Sequence, residues 1–199
     1  MAAHIEGIAV VRWRLVPLHA PTVLRHCRRC NQRRGFSSSG KFRLNRQKKR
    51  LDAWLIYKCQ VCDQTWKCTL FSQLGRDQID PGLHRRLAEN DPATALRYAC
   101  DRQLLKRNKV EWDAKVEYRV EGPLPRLQGK VVIRLDFAVP FPVRLDGLLA
   151  RELQLSRSRL RQLRRDGGLT LDGAPAPKQL DRAGALIMDF TRPPCCFAR

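Results

Sequence analysis

Two Cys-x-x-Cys pairs, Cys27-Arg-Arg-Cys30 and Cys59-Gln-Val-Cys62, constrain this chain more than any other feature. A two-residue gap lets both thiolates of a tight turn grip one ion at about 2.3 Å, and four thiolates complete a tetrahedral shell. The pairs therefore predict a closed structural zinc site formed by Cys27, Cys30, Cys59 and Cys62. Reduced core thiols are the plainer alternative, but two matched pairs favour a metal. Iron is the rival ion, since four thiolates at long spacing also suit an electron carrier; the basic segment between the pairs argues for zinc. His26 competes poorly as a ligand because the cysteine set is already complete.

Strand patterns surround the pairs. Residues 9–16 alternate, with Val11, Trp13 and Leu15 on one side and Arg12 and Arg14 on the other. Phe42 to Asn45, Asp52 to Lys58 and Thr65 to Phe71 also read as strands, the last with Trp66, Cys68 and Leu70 on one face. Strands around two metal-binding turns have the layout of a zinc ribbon. Trp54 and Ile56 share a face, Trp54 and Trp66 suit ribbon core positions better than base stacking, and Cys68 reads as a core residue. The pairs are separated by 28 residues, longer than the common ribbon spacing, and the excess holds Lys41, Arg43, Arg46, Lys48, Lys49 and Arg50. This insertion is expected to be a basic finger; the bland reading is a charged loop.

Charge says what such a finger meets. The 199 residues include 39 Lys plus Arg against 19 Asp plus Glu, a formal net charge of +20. Its field attracts polyanions over roughly a Debye length of about 8 Å, and nucleic acid is the expected partner. Residues 1–71 carry 15 basic and 3 acidic side chains and residues 144–199 carry 11 and 6, whereas residues 72–143, with 13 and 10, are nearly balanced. Binding should use both ends. Arg12 and Arg14 interrupt the first apolar stretch, so it does not read as a signal peptide, and no window of about 20 apolar residues suggests a membrane span. Reduced, metal-binding cysteines fit a cytoplasmic protein. Cys196 occupies the cysteine position of a prenylation box, but a final Arg does not suit one, and Cys195 and Cys196 stay unexplained thiols.

The middle, residues 72–143, reads as helices over 80–107 followed by a hairpin. Asp80-Pro81 and Asp91-Pro92 each combine an N-cap carboxylate with proline at the first helical position. Leu96, Cys100 and Leu104 form one stripe of the second helix, so Cys100 reads as core and Asp101 as a surface carboxylate. Val116 to Val120 and Val131 to Phe137 alternate as hairpin arms, and Pro140-Phe-Pro142 reads as a stiff linker.

Beyond it, two helices are expected. Leu145, Leu148, Leu149 and Leu153 fall within an arc of about 140°, with Arg144 and Arg151 beside it. Ser156 caps the next helix, on which Arg157, Arg161, Arg164 and Arg165 occupy an arc of about 100° next to Leu160 and Leu163. With no compensating acids, four arginines on one face repel one another, a cost that a polyanion removes. Leu169 to Leu171 and Ala185 to Phe190 read as strands, with Asp172-Gly173 as a tight turn.

Residues 144–190 resemble the alpha-L RNA-binding domain named after the fourth protein of the small ribosomal subunit. The match rests on Arg144-Leu-Asp146, Ser156-Arg-Ser-Arg159, Asp166-Gly167 and Leu169-Thr-Leu-Asp-Gly173. Asp172 stands where that family usually has asparagine, and Gly184-Ala185 lacks its usual aspartate. The resemblance implies a surface that binds structured ribosomal or transfer RNA, adding Arg159 and Lys178 to the candidates. The front half is similar to an uncharacterised bacterial family in Ser39-Gly-Lys-Phe-Arg-Leu-Asn45, Lys49 to Cys59, Asp63-Gln-Thr-Trp66, Ile79-Asp-Pro81 and Asn90-Asp91.

The expectation is an α+β chain in three parts: a zinc ribbon with basic insertion (1–71), a helical and hairpin middle (72–143) and an alpha-L-like module with a short tail (144–199). Its expected role is non-catalytic binding of rRNA, a ribosomal subunit or tRNA by a monomer, the zinc holding the finger at a fixed angle. The rivals are a DNA-binding regulator and an RNA-modifying enzyme targeted by its last module. The middle shows no glycine-rich phosphate loop and no nucleophile elbow for the latter.

Overall fold

The structure is a computed structural model that describes residues 3–5, 8–113 and 115–191. Cys195 and Cys196 lie outside these residues. The chain divides into two compact units: a central one, Leu18–Glu117, and a terminal one combining Met1–Pro17 with Tyr118–Arg199. The expected boundaries after residues 71 and 143 fall inside these units. The architecture is mixed α+β and rich in sheet.

The terminal unit contributes β1 (Ala3–Ile5) and β2 (Ile8–Pro17) first. The central unit follows with β3 (Val23–Cys27), β4 (Gln32–Gln47), β5 (Arg50–Cys59) and β6 (Thr65–Gly75). Its short helices are α1 (Pro81–Ala88), α2 (Pro92–Ala99) and α3 (Arg102–Arg107), before β7 (Glu111–Trp112). The terminal unit resumes with β8 (Tyr118–Glu121), β9 (Lys130–Phe137), β10 (Val143–Arg144), α4 (Leu145–Leu153) and α5 (Arg157–Arg165). It ends with β11 (Leu169–Leu171), β12 (Ala174–Pro175), β13 (Gln179–Leu180) and β14 (Gly184–Asp189).

In the central unit an antiparallel sheet of order β6-β5-β4-β3-β7 carries α1, α2 and α3 on one face. Val23, Phe36, Leu51, Ala53, Leu55, Tyr57, Cys68 and Leu70 meet Leu87, Ala95, Ala99 and Leu104 in one apolar core. The buried phase of β5 is thus the odd-numbered one, and Trp54 and Ile56 stand on the opposite, half-exposed face rather than in the core. The odd phase of β5 (Leu51, Ala53, Leu55, Tyr57) is apolar throughout, whereas Trp54 and Ile56 share theirs with Arg50, Asp52 and Lys58, so the alternation itself marks the odd phase as the inner one. Cys68 is fully buried, as its neighbours Trp66 and Leu70 led one to expect.

The caps behave as the Asp-Pro pairs predict. The Asp80 carboxylate accepts a hydrogen bond from Leu83 N at 2.6 Å, and Asp91 accepts one from Thr94 N at 2.8 Å. Asp101, expected to be an idle surface acid, caps a third helix by accepting from Gln103 N and Leu104 N. The long second helix is therefore two short ones; Cys100 is buried but closes α2 as its C-cap.

Asp52 sits buried where β5 bulges against β6, accepting from Gln73 N at 2.7 Å and from the Ser72 hydroxyl at 2.9 Å. The Gln73 N–H first, then the Ser72 hydroxyl, hold its carboxyl below the usual range. A depressed folded-state pKa gives stability that is complete above the unfolded value of about 3.9 and lost as pH falls through the lower folded value. The melting temperature of Asp52→Asn should therefore lie below that of the parent at neutral pH, the gap narrowing below about pH 4. A gap independent of pH would contradict this role for the carboxylate.

In the terminal unit β2 runs parallel to β9, from Ile8 opposite Lys130 to Leu15 opposite Phe137. Val11, Trp13 and Leu15 are buried while Arg12 and Arg14 are exposed, matching the expected alternation. The hairpin expected between residues 116–120 and 131–137 does not form. β8 pairs with β2, and β9 lies between β2 and β14. Alternation identifies a strand but not its partner. Phe141 of the expected linker is buried, with ring centroids of Phe137 and Tyr118 each 5.5 Å away.

Leu145, Leu148, Leu149 and Leu153 of α4 and Leu160 and Leu163 of α5 are all buried, and the Ser156 hydroxyl accepts from Arg159 N at 3.1 Å. Asp172 and Gly173, at φ +49° and +82°, turn β11 into β12. Asp172 also accepts from Ala185 N at 2.8 Å and so ties the turn to β14, which pairs with β11.

Candidate metal centre and basic surfaces

The cysteine turns meet because of strand direction. β3 and β5 both run antiparallel to β4, which lies between them, so Cys27 and Cys59 reach the same end of the sheet. Each pair then turns back and is followed by a left-handed residue, Asn31 at φ +50° and Asp63 at φ +59°. Asn and Asp are the side chains that tolerate this conformation best after glycine.

Sγ of Cys27 is 3.5 Å from that of Cys62, Sγ of Cys30 is 4.0 Å from that of Cys59, and all four lie within 4.8 Å of one another. Four sulfurs at about 2.3 Å from a central ion would be about 3.8 Å apart, so the cluster fits a tetrahedral ion. The four residues can hold a metal ion, and their thiols are free rather than disulfide-bonded. In the metal-free cluster the Cys27 thiol is drawn down to about 7, first by the Cys30 backbone N–H. Cys30 is pushed up to about 12, first by its contact with the Cys62 thiol and then by burial. A metal replaces the protons these thiols share, so its affinity rises with pH. Cys68 and Cys100 stand apart from the cluster, and burial raises both to about 12.

The basic insertion is neither a loop nor a neighbour of the metal site. It forms the far end of the β4–β5 hairpin, closed by Lys48 and Lys49 between Gln47 and Arg50. Lys41, Arg43, Arg46, Lys48, Lys49 and Arg50 are all exposed. Along β4 the tip stands roughly 45 Å from the cysteine end, so a metal does not set its angle directly. The hairpin leans instead on α1 and its loop: an Arg46 Nη contacts His84 Nε2 at 2.9 Å, and Phe42 N donates to Asn90 Oδ1 at 2.6 Å.

Arg157, Arg161 and Arg164 line a cleft of about 300 Å³ with Leu149, Leu160, Leu169 and Asp146. Arg164 is half-buried and donates to the carbonyl oxygens of Ala176 and Pro177, while Arg157, Arg161, Arg165 and Lys178 are exposed. Arg144 is engaged with Asp146 at 2.9 Å, which also pairs the one acid of the cleft. Arg151 binds Glu152 at 2.6 Å and stacks 4.3 Å from the Tyr118 ring centroid. Arg159 reaches Gln162 at 3.2 Å and the Phe190 ring at 6.0 Å, so it does not line the cleft.

A second cationic group, absent from the candidates read from the sequence, lies on the helix-free face of the central sheet: Lys67 stands over the Trp54 ring, and Lys58 lies further along β5. The signal was there: a lysine ends the Trp54, Ile56 phase of β5, and another lies between Trp66 and Cys68. Among the described residues no helix is long and apolar enough to cross a membrane.

Searches of curated proteins and of solved structures gave no match. A family model, described as a protein of unknown function (DUF1062), matches residues 44–174. The match starts in the basic hairpin, takes in Cys59 and Cys62 but not the first cysteine pair, and runs through both C-terminal helices to β12. It extends over well more than half of the sequence, and the chain belongs to this uncharacterised family.

Proposed function

We propose that this chain is a non-catalytic RNA-binding protein acting on ribosomal RNA, a ribosomal particle or tRNA. In this reading the cysteine cluster holds a structural zinc ion in a ribbon-type site, and α4 and α5 form an alpha-L-like RNA-contacting arm. The observation that carries it is the cleft of Arg157, Arg161 and Arg164, whose single acid is already paired with Arg144. Guanidinium groups suit both phosphates and splayed bases. A net charge of +20 and the exposed hairpin tip supply further polyanion contacts, and two linked weak sites gain avidity on one RNA. The same reading expects a cytoplasmic monomer.

Binding of structured RNA should weaken with salt, with a log–log slope near −4 to −5 if about six phosphates are neutralised. Replacing Arg157, Arg161 and Arg164 together by Glu should abolish binding without changing metal content. Because Arg164 also ties down backbone, Arg157→Gln with Arg161→Gln provides a milder check. A flat salt dependence, or parental binding by both variants, would remove the case. Preference for duplex DNA at equal salt would point to a regulator, and a modified nucleotide after incubation with RNA to an enzyme.

A further inference from the structure

The helix-free face of the central sheet carries an organised set of side chains. Cross-strand partners share a face, and register places Arg43, Trp54 and Thr69 in one row, Ile56 and Lys67 in the next, and Ser37, Lys58 and Thr65 in a third. Trp54 and Ile56 are half-buried and lie outside the apolar core; Arg43, Lys58 and Lys67 are exposed. The Lys67 ammonium stands 5.2 Å from the Trp54 ring centroid. None of these rows contains an acid.

A merely solvated sheet face pairs opposite charges across strands, because that is what stabilises such rows. This one sets Arg43 opposite an indole, Lys67 over its ring and Lys58 further along β5, while the nearest acid of the same phase, Asp52, is held by Gln73 and Ser72. The cations fit phosphates, and the indole fits the π-face of a base. A duplex hides its base faces inside the stack, so a ring on a flat sheet can take a base only from an unpaired stretch.

We propose that this face binds an unpaired segment of RNA, one base stacking on Trp54 while Arg43, Lys58 and Lys67 hold the flanking phosphates. The proposal rests on the RNA-binding reading above and adds a recognition surface on the other unit, separate from the arginine cleft. It makes the protein a reader of junctions, where paired and unpaired RNA adjoin.

The test uses the full, metal-loaded chain and a labelled RNA hairpin with a single-stranded, adenosine-rich loop, alongside the same RNA with its loop sequestered by a complementary strand. Trp54→Ala should weaken binding to the open loop by about ten-fold or more and leave the sequestered form unaffected, whereas Trp54→Phe keeps most of the affinity. A 2-aminopurine placed in the loop should be quenched on binding to the parent and to Trp54→Phe, but not to Trp54→Ala. Should Trp54→Ala not fold, Lys58→Glu with Lys67→Glu, both at exposed positions, carries the same expectation. Parental loop binding and quenching by these variants, while Arg157→Gln with Arg161→Gln still loses RNA, would overturn this proposal alone. No binding of either RNA by the parent would overturn both readings, and tighter binding of a DNA version of the loop would overturn the choice of RNA.

Discussion

Purified chain is expected to carry one tetrahedral metal ion, and Cys59→Ser or exhaustive chelation should remove it and lower the melting temperature of the central unit by on the order of 10 °C or more. Structural zinc contributes roughly 10 kcal/mol or more to folding in peptides that have no core of their own. The central unit has an apolar core, so the loss should be smaller, about 3 kcal/mol or more. It should concentrate at the end of the sheet where β3 and β5 terminate. Without the ion, the Cys27 and Cys59 thiols, each only 1% exposed, lose the partner that justifies their close approach. Cys68→Ala, in the core but outside the cluster, is the control: it should cost packing yet keep the metal. Calorimetry with metal analysis decides the matter, and an unchanged melting curve after chelation would mean that the four cysteines hold no structural ion.

Trp13→Ala should be the most damaging single change in the terminal unit, at about 3 to 5 kcal/mol. Trp13 is fully buried on the central β2, paired with Leu135 of β9, and its Nε1 donates to the Pro123 carbonyl at 2.9 Å. The loop it holds is tightly built: Gly122 has φ +137°, and a Cβ there would come within 2.1 Å of the Arg12 carbonyl oxygen. Trp13→Phe would keep most of the packing and lose the hydrogen bond, at about 1 kcal/mol. Urea unfolding separates the two variants, and equal losses would mean that the hydrogen bond, not the ring volume, sets the stability.

Local chemistry was the legible part of this sequence. The Asp80 and Asp91 caps, the Ser156 cap, the leucine stripe of α4, the Asp172-Gly173 turn and the convergence of four cysteines each depend on residues a few positions apart or on one recognisable motif. Pairing across long separations was not legible. Val116 to Val120 reads as a hairpin arm, yet β8 joins β2 more than a hundred residues earlier in the chain, since period two is the same whatever the neighbour. Trp54 and Ile56 suggest a core face by their bulk alone, but they share their phase of β5 with Arg50, Asp52 and Lys58, and the helices cover the wholly apolar phase of Leu51, Ala53, Leu55 and Tyr57 instead. The arginine strip was legible as a stripe on α5, but not that Arg144 and Arg151 would be engaged by adjacent acids.

The parallel pairing of β2 with β9 separates the two units in time during synthesis. Everything the central unit needs has been made once Glu117 has emerged, and its ladders can close at once. β2 must wait, its Trp13 unsheltered, until β9 has been translated, and closing so long a loop is slow. β2, although made early, is therefore among the last strands to find its place, and it is the segment on which a nascent copy most needs protection from aggregation.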